Sequence, residues 1–171
     1  MFLGNSLPLR EWNLAAAHES RAADWWANRG ANGIDGNVST WLGWSGGSER
    51  ATWGVFGDVT ALYDLNSLWV SGQLTRAQRL LVVINNGGGG IFRRLPGLAA
   101  TSGELGRILR SEHRIGFDSW AAMWGCAYHR WDGGSLDLLP AEGMAILEVR
   151  PDAAATESFW AAWNRVRTEE S

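Results

Sequence analysis

Two apolar runs set the pattern of this chain. Residues 52–56 (Thr-Trp-Gly-Val-Phe) and 80–84 (Leu-Leu-Val-Val-Ile) are almost unbroken in hydrophobicity and are followed by Gly or Asn. Runs of this kind, rich in β-branched residues, read as strands buried on both faces of a parallel sheet. The residues between them are mostly helical in composition, which predicts one crossover helix of the right-handed kind. Residues 1–10 predict a short strand or loop leading into a helix, with Ser6 as N-cap and Pro8 in the first turn. An Ala-rich amphipathic helix is expected over 11–22, a turn at Gly30 and Gly33, and a further helix over 38–44. Later come helical spacing over 117–126, an irregular stretch over 131–142, a strand over 143–149 and a closing amphipathic helix over 156–167. The predicted fold class is α/β: a three-layer sandwich with a mainly parallel central sheet, formed by residues 1–171 as one domain.

Composition narrows the function classes. At 171 residues the chain can bury a sizeable core. Its net charge of −3 supports neither nucleic-acid nor anionic-membrane binding. One cysteine, Cys126, excludes an internal disulfide and reads as a small buried hydrophobe in a reducing compartment. With no apolar run of about 18 residues and no basic-then-apolar start, cytoplasm is the expected location. The 12 tryptophans read as core and interface filling, with Trp25, Trp26, Trp41 and Trp44 grouped near the ligand face or a subunit contact. His18, His113 and His129 lack metal-binding spacing and read as structural or surface residues.

Chemistry gathers where the two strands end. Asp58 follows the first and Asn86, with the glycines 87–90, follows the second. Both therefore sit just past the carboxyl ends of neighbouring parallel strands, where open α/β sheets bind ligands. A carboxylate, an amide oxygen and close backbone groups are hard oxygen ligands that suit Mg²⁺ completed by water and phosphate. A helix starting at Asp58 aims its first N–H groups at the same place, which favours a diphosphate. Asp64 and Asn66 are expected to make structural hydrogen bonds on the crossover, and Arg93 and Arg94 to form a solvated face without a catalytic role. The dinucleotide fingerprint Gly-x-Gly-x-x-Gly after a first strand is absent, which ranks a generic nucleotide site low.

The words around these positions resemble a known family. Gly57-Asp58, then Asn85-Asn86 after residues 59–84, looks like the cofactor motif of thiamine-diphosphate enzymes, with Val59 where that motif usually has Gly. Gly-Asn-Ser-Leu at 4–7 with Arg10, Arg-Gly-Ala-Asn-Gly-Ile-Asp-Gly at 29–36, Gly-Asp-Val-Thr-Ala-Leu-Tyr-Asp-Leu-Asn at 57–66, and Ile91-Phe92 with Leu95-Pro96 sharpen it. Together they resemble the 2-succinyl-5-enolpyruvyl-6-hydroxy-3-cyclohexene-1-carboxylate synthases of menaquinone and phylloquinone biosynthesis.

The resemblance implies a thiamine-diphosphate-binding (PP-type) domain. It places Mg²⁺ (or Mn²⁺) on Asp58, Asn86 and the Gly88 carbonyl, and the cofactor on these with Ile34, Val59 and Thr60. Ser6, Arg10 and Arg29 would meet substrate carboxylates, and Ile91, Phe92 and Leu95 would form an apolar wall. The implied reaction is decarboxylation of 2-oxoglutarate and addition of the resulting succinyl carbanion equivalent to isochorismate. The pyrimidine-binding and central domains, and the glutamate that activates the cofactor, are expected outside this chain, in the same or another subunit of a homo-oligomer. An acetolactate-synthase-like carboligase and a non-catalytic assembly domain remain alternatives.

Overall fold

A computed structural model describes all residues except 17–23, 31, 96, 138, 170 and 171, and of 167–169 only the backbone. Among the described residues six strands form one sheet in the order β2-β1-β3-β4-β6-β5, every pair parallel. They are β1 (Phe2–Leu3), β2 (Trp26–Ala27), β3 (Thr52–Gly57), β4 (Arg79–Ile84), β5 (Ala127–Trp131) and β6 (Met144–Val149). Helices lie on both faces: α1 (Leu7–Ala15), α2 (Asn37–Ser45), α3 (Asp58–Tyr63), α4 (Gly103–Arg110), α5 (Asp118–Met123) and α6 (Ala153–Glu169). The predicted α/β class and the two central parallel strands are therefore observed.

The central strands explain the layering. Along β4, Leu81 and Val83 join one core with Phe2, Val38, Trp41, Phe56, Phe117 and Ile146, while Leu80 and Val82 join a second with Ala145 and Leu147. Alternate side chains of a strand point to opposite faces, so an unbroken apolar run needs cover on both. Close packing also explains Gly54 in β3, where a Cβ would lie 2.6 Å from the Trp41 ring.

The chain runs from β1 outward to β2, then returns to place β3 on the other side of β1. That reversal opens a crevice beyond the carboxyl ends of β1 and β3. The Gly57–Ile84 register ends β3 and β4 level, so Asp58 and Asn85 leave the sheet side by side.

The crossover differs from the single helix expected. It comprises α3 and a 3₁₀ segment (Ser67–Gln73), separated at Asp64. The Asp64 side chain is drawn to α2, where it accepts from the backbone N–H groups of Gly36 (2.8 Å), Val38 (2.8 Å) and Ser39 (3.2 Å). At the other end of α2, the buried Arg79 guanidinium donates to the Ser45 and Gly46 carbonyls at 2.7 and 3.0 Å. A carboxylate at the start and a guanidinium at the end match the orphan groups and dipole of a helix.

Other boundaries shifted. The expected helix over 11–22 is observed as α1 from Leu7 to Ala15, and residues 17–22 lie outside the described residues. Ser6 precedes α1 with φ of 79° and makes no side-chain cap hydrogen bond, so its N-cap role is positional only. The helix expected over 117–126 is shorter, and the closing helix begins earlier because Asp152 Oδ1 accepts the Ala155 N–H at 2.7 Å. Strands β2 and β5 and helix α4 were not anticipated; β2 and β5 are edge strands, with weak patterns. His18 and Pro96 lie outside the described residues. Trp41, Trp120 and Trp160 are core residues, whereas Trp26 and Trp44 pair at 5.8 Å along the β2 edge and stay partly exposed.

Replacing Asp64 with Ala is expected to leave the first turn of α2 without its acceptor and to cost about 1–3 kcal/mol. Thermal unfolding should record a Tm lower by about 2–12 °C.

Candidate functional site

The site is built on a carboxylate that the fold removes from water. Asp58, the first residue of α3, is 2% exposed. Its Oδ1 accepts the Val59 N–H at 2.7 Å, and its Oδ2 accepts the N–H groups of Gly87 (2.7 Å) and Gly88 (2.9 Å). His113 Nε2 lies 3.2 Å from the same Oδ2. Burial pushes the Asp58 carboxyl above its ordinary value, and the N–H groups of Val59 and Gly88, the electrostatic pull of His113 and the Gly87 N–H act the other way.

The glycines after β4 are required by geometry. Gly87 and Gly88 have φ of 80° and 142°, and a Cβ on Gly88 would meet the Arg110 carbonyl oxygen at 2.5 Å. Only glycine allows the chain to curl this tightly over Asp58 while 110–113 passes beneath it. That segment is bound to the loop: Arg110 O accepts the Gly89 N–H, and His113 N–H donates to Gly87 O at 3.1 Å.

The two asparagines of the motif have separate tasks. Asn85 is buried; its amide donates to Ile115 O and to Glu148 Oε1, both at 2.8 Å. Glu148, 0% exposed on β6, also accepts from Phe117 N–H (3.0 Å), Tyr128 O–H (2.8 Å) and Arg150 Nε. Burial would raise the Glu148 carboxyl, but these four donors hold it below its ordinary value. Burial and Glu148 together push the Tyr128 hydroxyl up to about 12. Asn86, by contrast, is exposed and makes no side-chain hydrogen bond among the described residues. It opens on a cavity of about 510 Å³ between the glycine loop, α1 and α6, lined also by Leu7, Gly88, Arg94, Arg110 and Trp160.

Asp58, Asn86 and Gly88 are thus brought to one loop junction at the sheet edge. Val59 and Thr60 follow in α3, Thr60 buried. Ser6 and Ile34, both half-buried, lie past the ends of β1 and β2. Asn5 ties those segments together by donating its amide to Gly33 O at 2.7 Å. Arg10 and Arg29 are exposed, on α1 and past β2. Ile91 and Phe92 are half-buried in a 3₁₀ turn (Gly90–Arg93), with Leu95 just beyond. No hydrogen bond or ion pair joins Arg10 or Arg29 to Asp58 among the described residues.

Arg94 corrects the expectation of a solvated arginine pair. It forms a two-pronged ion pair with Glu157 (3.1 and 2.7 Å) and lies 5.1 Å over the Trp160 ring, so it fastens α6 to the loop. Arg93 is half exposed, as expected. Cys126 is only partly buried, which still raises its thiol to about 11. His113 and Glu148 are the site residues that sequence reasoning missed, because neither stands at motif spacing from Asp58.

Among the described residues no three His, Cys, Asp or Glu side chains converge on a point. A metal here would have one carboxylate, one amide and one carbonyl from the protein, with water and phosphate completing the shell. That donor set fits Mg²⁺. Asp58 Oδ1 accepts one hydrogen bond, the Gly88 carbonyl accepts one from Gly90 N–H, and each keeps a lone pair. The residues present fit the group.

Fold and site together define an α/β domain whose carboxylate and glycine loop meet beyond the carboxyl ends of the neighbouring parallel strands β3 and β4. The chain is similar, over nearly its whole length, to curated 2-succinyl-5-enolpyruvyl-6-hydroxy-3-cyclohexene-1-carboxylate synthases. The one from Bdellovibrio bacteriovorus is 44% identical over 165 residues, which cover 94% of this chain and 29% of that protein. Those from Akkermansia muciniphila and Lysinibacillus sphaericus are 42% and 30% identical, over 93% and 99% of this chain. The chain spans 30% of the length of each of these two. No protein-family model matches it. Among solved structures, a thiamine diphosphate-dependent 4-hydroxybenzoylformate decarboxylase from Rhodococcus jostii RHA1 aligns with a TM-score of 0.40 and 19% identity, over 61% of this chain and 20% of that one.

Removing Glu148 strands the buried Asn85 amide and Phe117 N–H and the half-buried Tyr128 hydroxyl, so Glu148→Ala is expected to cost about 3–5 kcal/mol in denaturant unfolding. Because the folded Glu148 carboxyl lies below its ordinary value of 4.5, its contribution is complete above that pH and fades as the pH falls below it. A stability profile of Glu148→Gln should therefore lose part of the acid-side slope of the parent chain.

Proposed function

We propose that this chain is the diphosphate- and Mg²⁺-binding part of a thiamine-diphosphate-dependent transferase. The reaction is that of 2-succinyl-5-enolpyruvyl-6-hydroxy-3-cyclohexene-1-carboxylate synthase, which joins the succinyl fragment of 2-oxoglutarate to isochorismate on the route to menaquinone or phylloquinone. The observation that carries the reading is Asp58, buried at the end of β3 and hydrogen-bonded to the glycine loop that follows Asn85-Asn86. The similarity to curated synthases supports the choice of reaction.

Bound thiamine diphosphate supplies the stabilised carbanion, and the protein supplies orientation and electrostatics. Asp58, Asn86 and the Gly88 carbonyl hold the metal. Val59 and Thr60 lie in the first turn of α3, whose backbone N–H groups suit diphosphate oxygens. Ile34 sets the shape of the cofactor pocket. Arg10 and Arg29 neutralise substrate carboxylates, for which a guanidinium fork is better suited than an ammonium, and Ser6 adds a hydroxyl. Ile91, Phe92 and Leu95 exclude water from the reacting centre. No general base is assigned within this chain; the activating glutamate belongs to a pyrimidine-binding domain in the same or another subunit of a homo-oligomer.

Thiamine diphosphate with Mg²⁺ is expected to raise the Tm of the chain, since a ligand at ten times its Kd adds about 1.4 kcal/mol. Asp58→Ala should lose that ligand-dependent shift whatever its own baseline Tm. Equal shifts in the two proteins would mean that the metal does not rest on Asp58.

A further inference from the structure

The Asp58 carboxylate is held from a side that the motif does not reveal. Helix α4 ends at Arg110, and 111–115 then runs under the glycine loop. Its bonds to that loop are paired: Arg110 O accepts from Gly89 N–H, and His113 N–H donates to Gly87 O. Further on, Ile115 O accepts from the Asn85 amide. One side chain of this segment, His113, reaches past the loop to Asp58. It is 10% exposed, and its Nδ1 accepts the Ile115 N–H at 3.2 Å, so the ring proton sits on Nε2, facing Oδ2 at 3.2 Å. Nε2 is fully buried and aligned on no acceptor; the Asp58 carboxylate is the charge it faces.

We infer that His113 is the positioning residue of this site: it fixes the Asp58 carboxylate so that Oδ2 receives the Gly87 and Gly88 N–H groups and Oδ1 stays available to a divalent cation. Three features make the role specific. The imidazole is itself oriented by a backbone N–H, as a residue that must present one nitrogen in one direction requires. Its backbone and its side chain engage the two partners of the same contact, the loop at Gly87 and the carboxylate at Asp58. And the carboxylate it faces is 2% exposed, so with the imidazole in place no solvent water competes for Oδ2. Without His113, Asp58 can rotate away from the glycine N–H groups, and the loop loses the anchor that its positive φ angles need. The consequence for cation affinity rests on the Mg²⁺ site proposed above; the consequence for the loop does not.

The test compares the parent chain with His113→Leu, which fills the space without a donor, and His113→Gln, whose amide nitrogen stands in for Nε2. Amide hydrogen exchange, resolved by NMR at single residues, is measured without ligand. In His113→Leu the Gly87 and Gly88 amides should exchange about tenfold faster, as the loss of a charge-assisted contact implies, while Leu81 and Val83 in β4 keep their parent rates. His113→Gln should restore slow exchange. A titration with Mg²⁺ and thiamine diphosphate, followed by tryptophan fluorescence, should give a Kd about tenfold weaker in His113→Leu and near the parent value in His113→Gln. Unchanged Gly87 and Gly88 exchange in His113→Leu overturns the inference. So does a uniform rise across β4 in both variants, which would make His113 a general packing residue. If the parent chain binds no cofactor, the proposed function fails, and the exchange rates alone still decide the role of His113.

Discussion

Burial of the Asp58 carboxylate is the constraint on which the ligand end of this fold depends. A carboxylate removed from water must find donors or give up its charge, and the donors here are backbone N–H groups from its own helix and from the loop after the neighbouring strand. To reach it, that loop takes backbone angles open to glycine and lies against 110–113, which excludes any side chain at Gly88. The loop's shape, the run of glycines and the path of the chain after α4 are thus linked to one buried charge.

Other charges fasten the layers to the sheet by the same logic. Asp64 accepts from the first N–H groups of α2, and Arg79 donates to the carbonyls at its end, so that helix is held at both ends across the core that Trp41 fills. Glu148 joins β4, β5, β6 and the start of α5 through Asn85, Tyr128 and Phe117. Arg94 and Glu157 bring α6 against the loop. These groups meet partners far away in sequence, and most sit at strand ends, where backbone groups are left over from the ladders. The sheet edge that carries the candidate site is therefore cross-linked by buried polar groups. Such a frame suits a site that must hold a charged ligand without rearranging.

Much of the central architecture was legible along the chain. The runs at 52–56 and 80–84 had to be strands covered on both faces, because no other short element buries so unbroken an apolar stretch. Asp58, Asn86 and Gly88 were legible for a related reason: topology puts residues that follow parallel strands at one edge, whatever else surrounds them. The edge strands β2 and β5 were not, since pairing with neighbours rather than periodicity makes them strands. The break in the crossover was hidden as well, because Asp64 turns away to serve α2, an interaction across 26 residues of sequence.

By itself, the amino-acid sequence determined the fold class, the order of the central elements, and the residue types that meet where β3 and β4 end. Those depend on local pattern and on the rule that parallel strands present their carboxyl ends together. Only the tertiary structure decided that the first asparagine of the motif is a structural residue and the second faces the cavity. It also decided that Arg94 is a clamp, and that His113 and Glu148 stand behind the site. Each of these assignments rests on which buried donor meets which buried acceptor. Desolvation makes such pairing strong, and chain distance gives no hint of it.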